Sequence, residues 1–195
     1  PTDAAIQITD NVFTNGEEIV IWGGGPRSPT VISRNIVGRV SVLGRSYEVA
    51  ITNNTISPNM DFWGEEAILI ACSSCVADVV ENSIDAVNIG IQLDGRARVA
   101  NILRNTINGG TTGIEIDSDS TNISVEGNSI TGANTGIRIY SANSWDTSFI
   151  SLSRNTITDT ILGLSIQNIF FEQDIPSDAG LVQGDQVVWK THISS

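Results

Sequence analysis

Apolar residues along this chain come in short alternating steps, not in helical stripes. Ile6-Gln7-Ile8, Val49-Ala50-Ile51, Ile123-Ser124-Val125 and Ile150-Ser151-Leu152 each put two apolar side chains on one side of an extended segment. An Asn follows each such step, at positions 11, 35, 54, 82, 105, 128 and 155. Two residues beyond each Asn comes another apolar residue: Phe13, Val37, Ile56, Ile84, Ile107, Ile130 and Ile157. A second step then follows, as in Ile19-Val20-Ile21, Val40-Ser41-Val42, Ile68-Leu69-Ile70, Ile91-Gln92-Leu93, Ile114-Glu115-Ile116, Ile137-Arg138-Ile139 and Leu164-Ser165-Ile166. In the last four repeats a Gly precedes it (Gly90, Gly113, Gly136, Gly163). The spacing settles at 23 residues between Asn82, Asn105 and Asn128. Each repeat therefore predicts strand, Asn turn, short strand, Gly turn, strand.

One such coil cannot bury its own apolar side, but a stack of them can. The pattern predicts an all-β, right-handed parallel solenoid of about seven coils over residues 1–167, about 34 Å long at about 4.8 Å per coil. Each Asn is expected to take a left-handed turn conformation and to bond its amide to the Asn above and below. Two insertions interrupt the repeat, Ser57–Gly64 and Tyr140–Phe149, and each carries a Trp, Trp63 and Trp145. Insertions in a solenoid become surface loops, often on its binding side. After Ile166 the repeat fades, and residues 168–195 read as an irregular tail that caps the apolar column. No comparable cap precedes Ile6, so raw strand edges are expected there. The opening at Pro1, already inside the repeat, suggests a processed or excised product.

Alternation also sorts the outward residues of the second step into two rows. One is Val20, Ser41, Leu69, Gln92, Glu115, Arg138 and Ser165; the other is Trp22, Leu43, Ala71, Asp94, Asp117, Tyr140 and Gln167. The early coils show apolar residues there. Val20, Trp22, Leu43 and Leu69 form a strip expected to be covered, by the chain itself or by a second copy in an oligomer or filament. The later coils show polar ones. Aromatic rings stack on sugars, so Trp63, Tyr140 and Trp145, with Gln92, are candidate glycan contacts; the competing reading is that the rings fold back over the coils. Asp94 and Asp117 are expected about one coil apart, near 5 Å, with Asp119 close by in the following turn and Glu115 in the neighbouring row; carboxylates at that spacing suit Ca²⁺. Equally, Glu115 and Arg138 suit a plain cross-coil ion pair.

Charge and cysteine content narrow the partners. A net charge of −12 disfavours nucleic acid and anionic membranes. No apolar run is long enough for a membrane-spanning helix. Cys72 and Cys75 read as a local disulfide in an oxidising compartment or as two inert buried thiols; alone they cannot complete a zinc site.

The repeats Arg104-Asn105-Thr106-Ile107, Gly127-Asn128-Ser129-Ile130 and Arg154-Asn155-Thr156-Ile157, each followed by the Gly-led step, resemble the coil consensus of right-handed parallel β-helix proteins of the pectate-lyase-like superfamily. The resemblance spans roughly residues 6–167 and implies the fold, not one activity. Related lyases line such a face with Ca²⁺-binding carboxylates and a base; that would make Asp94, Asp117 and Glu115 ligands and Arg138 the base of a polysaccharide lyase or epimerase acting on an acidic glycan. Motifs of the hydrolases and epimerases are missing, and the one His, His192, lies outside the repeat. The first expectation is a non-catalytic secreted or surface module, structural, adhesive or self-assembling, with glycan binding attached to it. A fragment of a phage tailspike or adhesin is a further alternative.

Overall fold

The computed structural model describes residues 5–23, 29–45, 48–58, 66–95, 97–117, 122–140 and 150–167, and the backbone of 187–193. These residues form strands and turns, with no helix among them and so no helix able to cross a membrane. The strands stack in parallel as a right-handed β-helix with three faces. The first face runs through Ile6–Thr9, Thr30–Ser33, Glu48–Thr52, Val76–Val80, Val99–Leu103, Ile123–Glu126 and the start of Ile150–Thr158. The second has short strands: Ile36–Val37, Thr55–Ile56, Ser83–Ala86, Thr106–Gly109, Ser129–Thr131 and the end of Ile150–Thr158. The third is a 7-stranded sheet of Glu18–Gly23, Arg39–Arg45, Glu66–Ser73, Ile89–Asp94, Thr112–Asp117, Thr135–Tyr140 and Leu162–Gln167. Seven rungs enclose about six turns, so the expected seven coils are one too many. Each turn of the helix needs a rung to open it and another to close it.

The predicted apolar positions build the core. Ile56, Ile84, Ile107, Ile130 and Ile157 lie directly above one another inside the second face, and all are buried. Ile68, Ile91, Ile114 and Ile137 do the same inside the third. β-Branched side chains suit this stacking because their restricted χ1 matches a pleated, close-packed wall.

The corner between the first and second faces is polar and buried. Asn82 donates its backbone N–H and its side-chain Nδ2 to Asn105 Oδ1, at 2.9 and 3.0 Å, and Nδ2 also to Ile51 O at 2.8 Å. Asn35, Asn54, Asn105 and Asn128 repeat the arrangement one coil at a time. The amide ladder follows the sequence expectation. The left-handed turn does not: the residue before the ladder Asn adopts it, as in Arg34 (φ 55), Asn53 (φ 56), Glu81 (φ 57), Arg104 (φ 52) and Gly127 (φ 65). The chain must reverse one residue early so that the N–H and the amide of the Asn both point along the rod at the next Asn. Charged residues at this position pair across coils, Arg34 to Asp10 at 2.6 Å and Arg104 to Glu81 at 2.8 Å. Arg154 likewise pairs with Glu126.

The third-face glycines answer a space requirement. A Cβ on Gly113 would lie 2.6 Å from Gly136 O and 2.6 Å from Ile130 Cγ2. At the C-terminal end, Val187–Ile193 pairs antiparallel with Ile150–Thr158. The rest of the tail, residues 168–186 and 194–195, lies outside the described residues, as does the Met60–Trp63 loop.

Candidate functional site

The outside of the third face carries the two rows expected from the sequence, in one unbroken register. Val20, Ser41, Leu69, Gln92, Glu115, Arg138 and Ser165 pair coil to coil. Trp22, Leu43, Ala71 and Asp94 pair in the adjacent row, as do Asp117, Tyr140 and Gln167. Parallel pairing without a slip is what keeps each row straight.

Three regions follow one another along this face. At the early end Trp22 is 81% and Val20 47% exposed, whereas Leu43, Leu69 and Ala71 are half-buried. Beside them lies a half-buried ion cluster. Arg39 Nη2 donates to Glu66 Oε2 at 2.5 Å, and Arg39 Nη1 lies 3.4 Å from Glu18 Oε1, which also accepts from the Ser41 hydroxyl. Sequence reading missed this cluster. Its signal was present: Glu18, Arg39 and Ala67 precede the second step, where later coils have Gly.

The later coils hold a second polar network. Glu115 is buried although it points outward, because Gln92 Nε2 donates to its Oε1 at 3.1 Å and Arg138 Nη1 to its Oε2 at 3.3 Å. The Arg138 guanidinium sits 5.5 Å from the centroid of the Tyr140 ring, within reach of a cation–π contact. Burial raises the Tyr140 phenol above its ordinary value; the charges of Glu115, Asp117 and Asp94 add to this, and Arg138 opposes it. Asp94 is exposed at the edge of the row and Asp117 is buried.

The structure thus brings together Gln92, Glu115, Arg138 and Tyr140, with Asp94 and Asp117 alongside. Trp63, Asp119 and Trp145 lie outside the described residues. Among the described residues, no group of three or more His, Cys, Asp or Glu side chains is placed to hold a metal ion. Cys72 and Cys75 close a disulfide, with Cα atoms 5.9 Å apart, at the end of the third-face strand Glu66–Ser73. Ser74 takes the left-handed conformation between them (φ 65), which turns the chain tightly enough for the bridge.

Comparison with known proteins adds one match. Residues 3–170 fit the family described as "Periplasmic copper-binding protein (NosD)". No curated protein and no solved structure matches the chain. The matched segment covers nearly all of the stacked coils, from the strand opening the first face to the end of the third. The chain belongs to the NosD family of parallel β-helix proteins.

Proposed function

We propose that this chain is a non-catalytic β-helix module, working outside the cytoplasm, that holds a linear neutral glycan along its third face. The family is a periplasmic one, and the Cys72–Cys75 disulfide accords with an oxidising compartment. The reading is carried by the straight row from Trp22 to Tyr140, an exposed indole at one end and an arginine-backed phenol at the other. Five coil steps separate the two rings, about 24 Å at about 4.8 Å per step. Gln92 and Asp94 lie between them, the residue types that hydrogen-bond sugar hydroxyls. The carboxylates of this face and a net charge of −12 would repel a polyuronate, so the ligand is a neutral polymer. A lyase would need Arg138 as its base, but that guanidinium is turned to Glu115 and Tyr140.

Copper, which the family description names, finds few suitable donors here: the chain has one His and one Met, and both Cys are in the disulfide.

Affinity electrophoresis through soluble glucan, xylan, mannan and polyuronate gels tests the reading. Retardation by at least one neutral polymer is expected. Trp22→Ala should weaken it about fivefold, the loss of a ring contact worth about 1 kcal/mol, while changing stability by less than about 0.5 kcal/mol. Retardation by no neutral polymer, or cleavage of a polyuronate to unsaturated ends, would defeat it. Light scattering checks the competing use of the early strip as a contact between copies through Val20, Trp22, Leu43 and Leu69. A particle mass that rises with concentration, and falls back in Trp22→Asp, would assign Trp22 to assembly instead of to sugar.

A further inference from the structure

We infer that the β-helix of this chain holds no copper ion of its own, although its family is described by copper binding. Copper sites in proteins are built from thiolate and thioether sulfur for Cu(I), or from imidazole nitrogen in combination with other donors for Cu(II). Within the family-matched residues 3–170 the chain has no imidazole at all, since its one His is His192. It has a single thioether, Met60. Its two sulfurs in a Cys-x-x-Cys spacing are joined to each other and therefore present no thiolate. Cys72 is 2% exposed and Cys75 fully buried, so neither a reductant nor an ion reaches them in the folded chain.

Oxygen donors do not repair the deficit. Carboxylates suit Mg²⁺, Ca²⁺ and Mn²⁺ better than copper. Glu115 is already engaged with Gln92 and Arg138, and Glu18 and Glu66 with Arg39; Asp94 and Asp117 alongside them bring only oxygen. The buried corner, where a repeated polar side chain runs along the rod, is filled by Asn amides. From Asn35 to Asn128 each amide nitrogen donates twice, to the next Asn and to a backbone carbonyl. One thioether and one imidazole, 132 positions apart in sequence, are the only copper-type donors the whole chain can bring to one ion. In this chain the coil is a scaffold, and any copper handled beside it must be ligated by another molecule.

The test uses the full chain without a histidine tag, its disulfide intact. It is incubated with Cu(II), and separately with Cu(I) under anaerobic conditions, then dialysed. Copper per chain is counted by atomic emission, and the thermal midpoint is read with and without the ion. The expected result is copper far below one per chain and an unmoved midpoint. One copper retained per chain would overturn the inference, as would a midpoint raised by about 10 °C at about a thousandfold excess over Kd. Loss of that copper in Met60→Ala, in His192→Ala or in Cys72→Ser/Cys75→Ser would then locate the site. Neither result bears on the glycan reading, which uses the opposite, sugar-binding readout and rests on Trp22 and Tyr140.

Discussion

The Asn corner and the outside of the third face are built from the same coils, yet they behave oppositely along the rod. From Asn35 to Asn128 the corner repeats one residue, one set of hydrogen bonds and nearly one exposure: Asn54, Asn105 and Asn128 are each 1% exposed. On the third face the outward residue changes at every step, from Val20 to Ser41, Leu69, Gln92, Glu115 and Arg138. The difference is one of constraint. A buried amide has no water to fall back on and must find its partners in the next coil. An outward side chain in the same register needs only to avoid a clash, so it is free to carry function. What repeats holds the fold; what varies distinguishes this chain from any other stack of coils.

That contrast can be broken or sharpened by substitution. The largest effect is expected at the corner. Asn105→Ala removes the acceptor of two Asn82 donors and the donor to Val79 O and Asn128 Oδ1. Several buried groups are then left unpaired, and denaturant unfolding should show a loss of about 3–5 kcal/mol. Asn11→Ala, at the exposed end of the same ladder, should lose less than about 1 kcal/mol because water replaces the amide. Equal losses at the two positions would show that the ladder is not what holds the coils. Next comes Gly113→Ala. Its Cβ would press on Gly136 O and Ile130 Cγ2, and the strand must shift, at about 1–3 kcal/mol on the same measurement.

On the outer face the effects are smaller and depend on pH. The Tyr140 phenol is raised in the fold, so the native state holds its proton more tightly than the unfolded chain does. The stability this represents is full below about pH 10 and declines as pH rises through the ordinary phenol range towards the native value. Tyr140→Phe should flatten that alkaline decline in a series of melts; an unchanged slope would place the titration elsewhere. The smallest effect belongs to the exposed pair Arg34–Asp10. The hydrogen bond from Arg34, and then its charge, hold the Asp10 carboxyl below its ordinary value. Its contribution is present above the ordinary carboxylate range and disappears as pH falls through the native value. In Arg34→Ala the Asp10 resonance, followed by NMR, should titrate at the ordinary value, with no measurable change in melting at neutral pH.

Much of this architecture was legible in the residues. Period-2 alternation placed Ile68, Ile91 and Ile114 inside and Leu69, Gln92 and Glu115 outside, because a side chain in a strand has only two directions to take. The Asn period announced the ladder. It did not announce which residue turns left-handed, since Arg34, Glu81 and Arg104 are poor candidates by propensity. They accept the strain because the buried Asn ladder that follows them fixes the turn. The Glu18–Arg39–Glu66 cluster was also overlooked: an Arg at a Gly position looks like a departure from the repeat until the neighbouring coils bring two carboxylates to it.

The sequence by itself determined the parallel stack, its register and the sorting of inner from outer residues. These follow from a local period that every coil repeats, and a one-residue slip would turn the core outward. Only the tertiary structure decided that Glu115 is buried while its row neighbour Gln92 is half-exposed, and that Arg138 lies across Tyr140. It also decided that Cys72 and Cys75 meet around a left-handed Ser74. The 23-residue period sets Gln92, Glu115 and Arg138 side by side, but how deeply each is covered and which way its side chain turns depend on the neighbouring side chains, and no period in the chain encodes that.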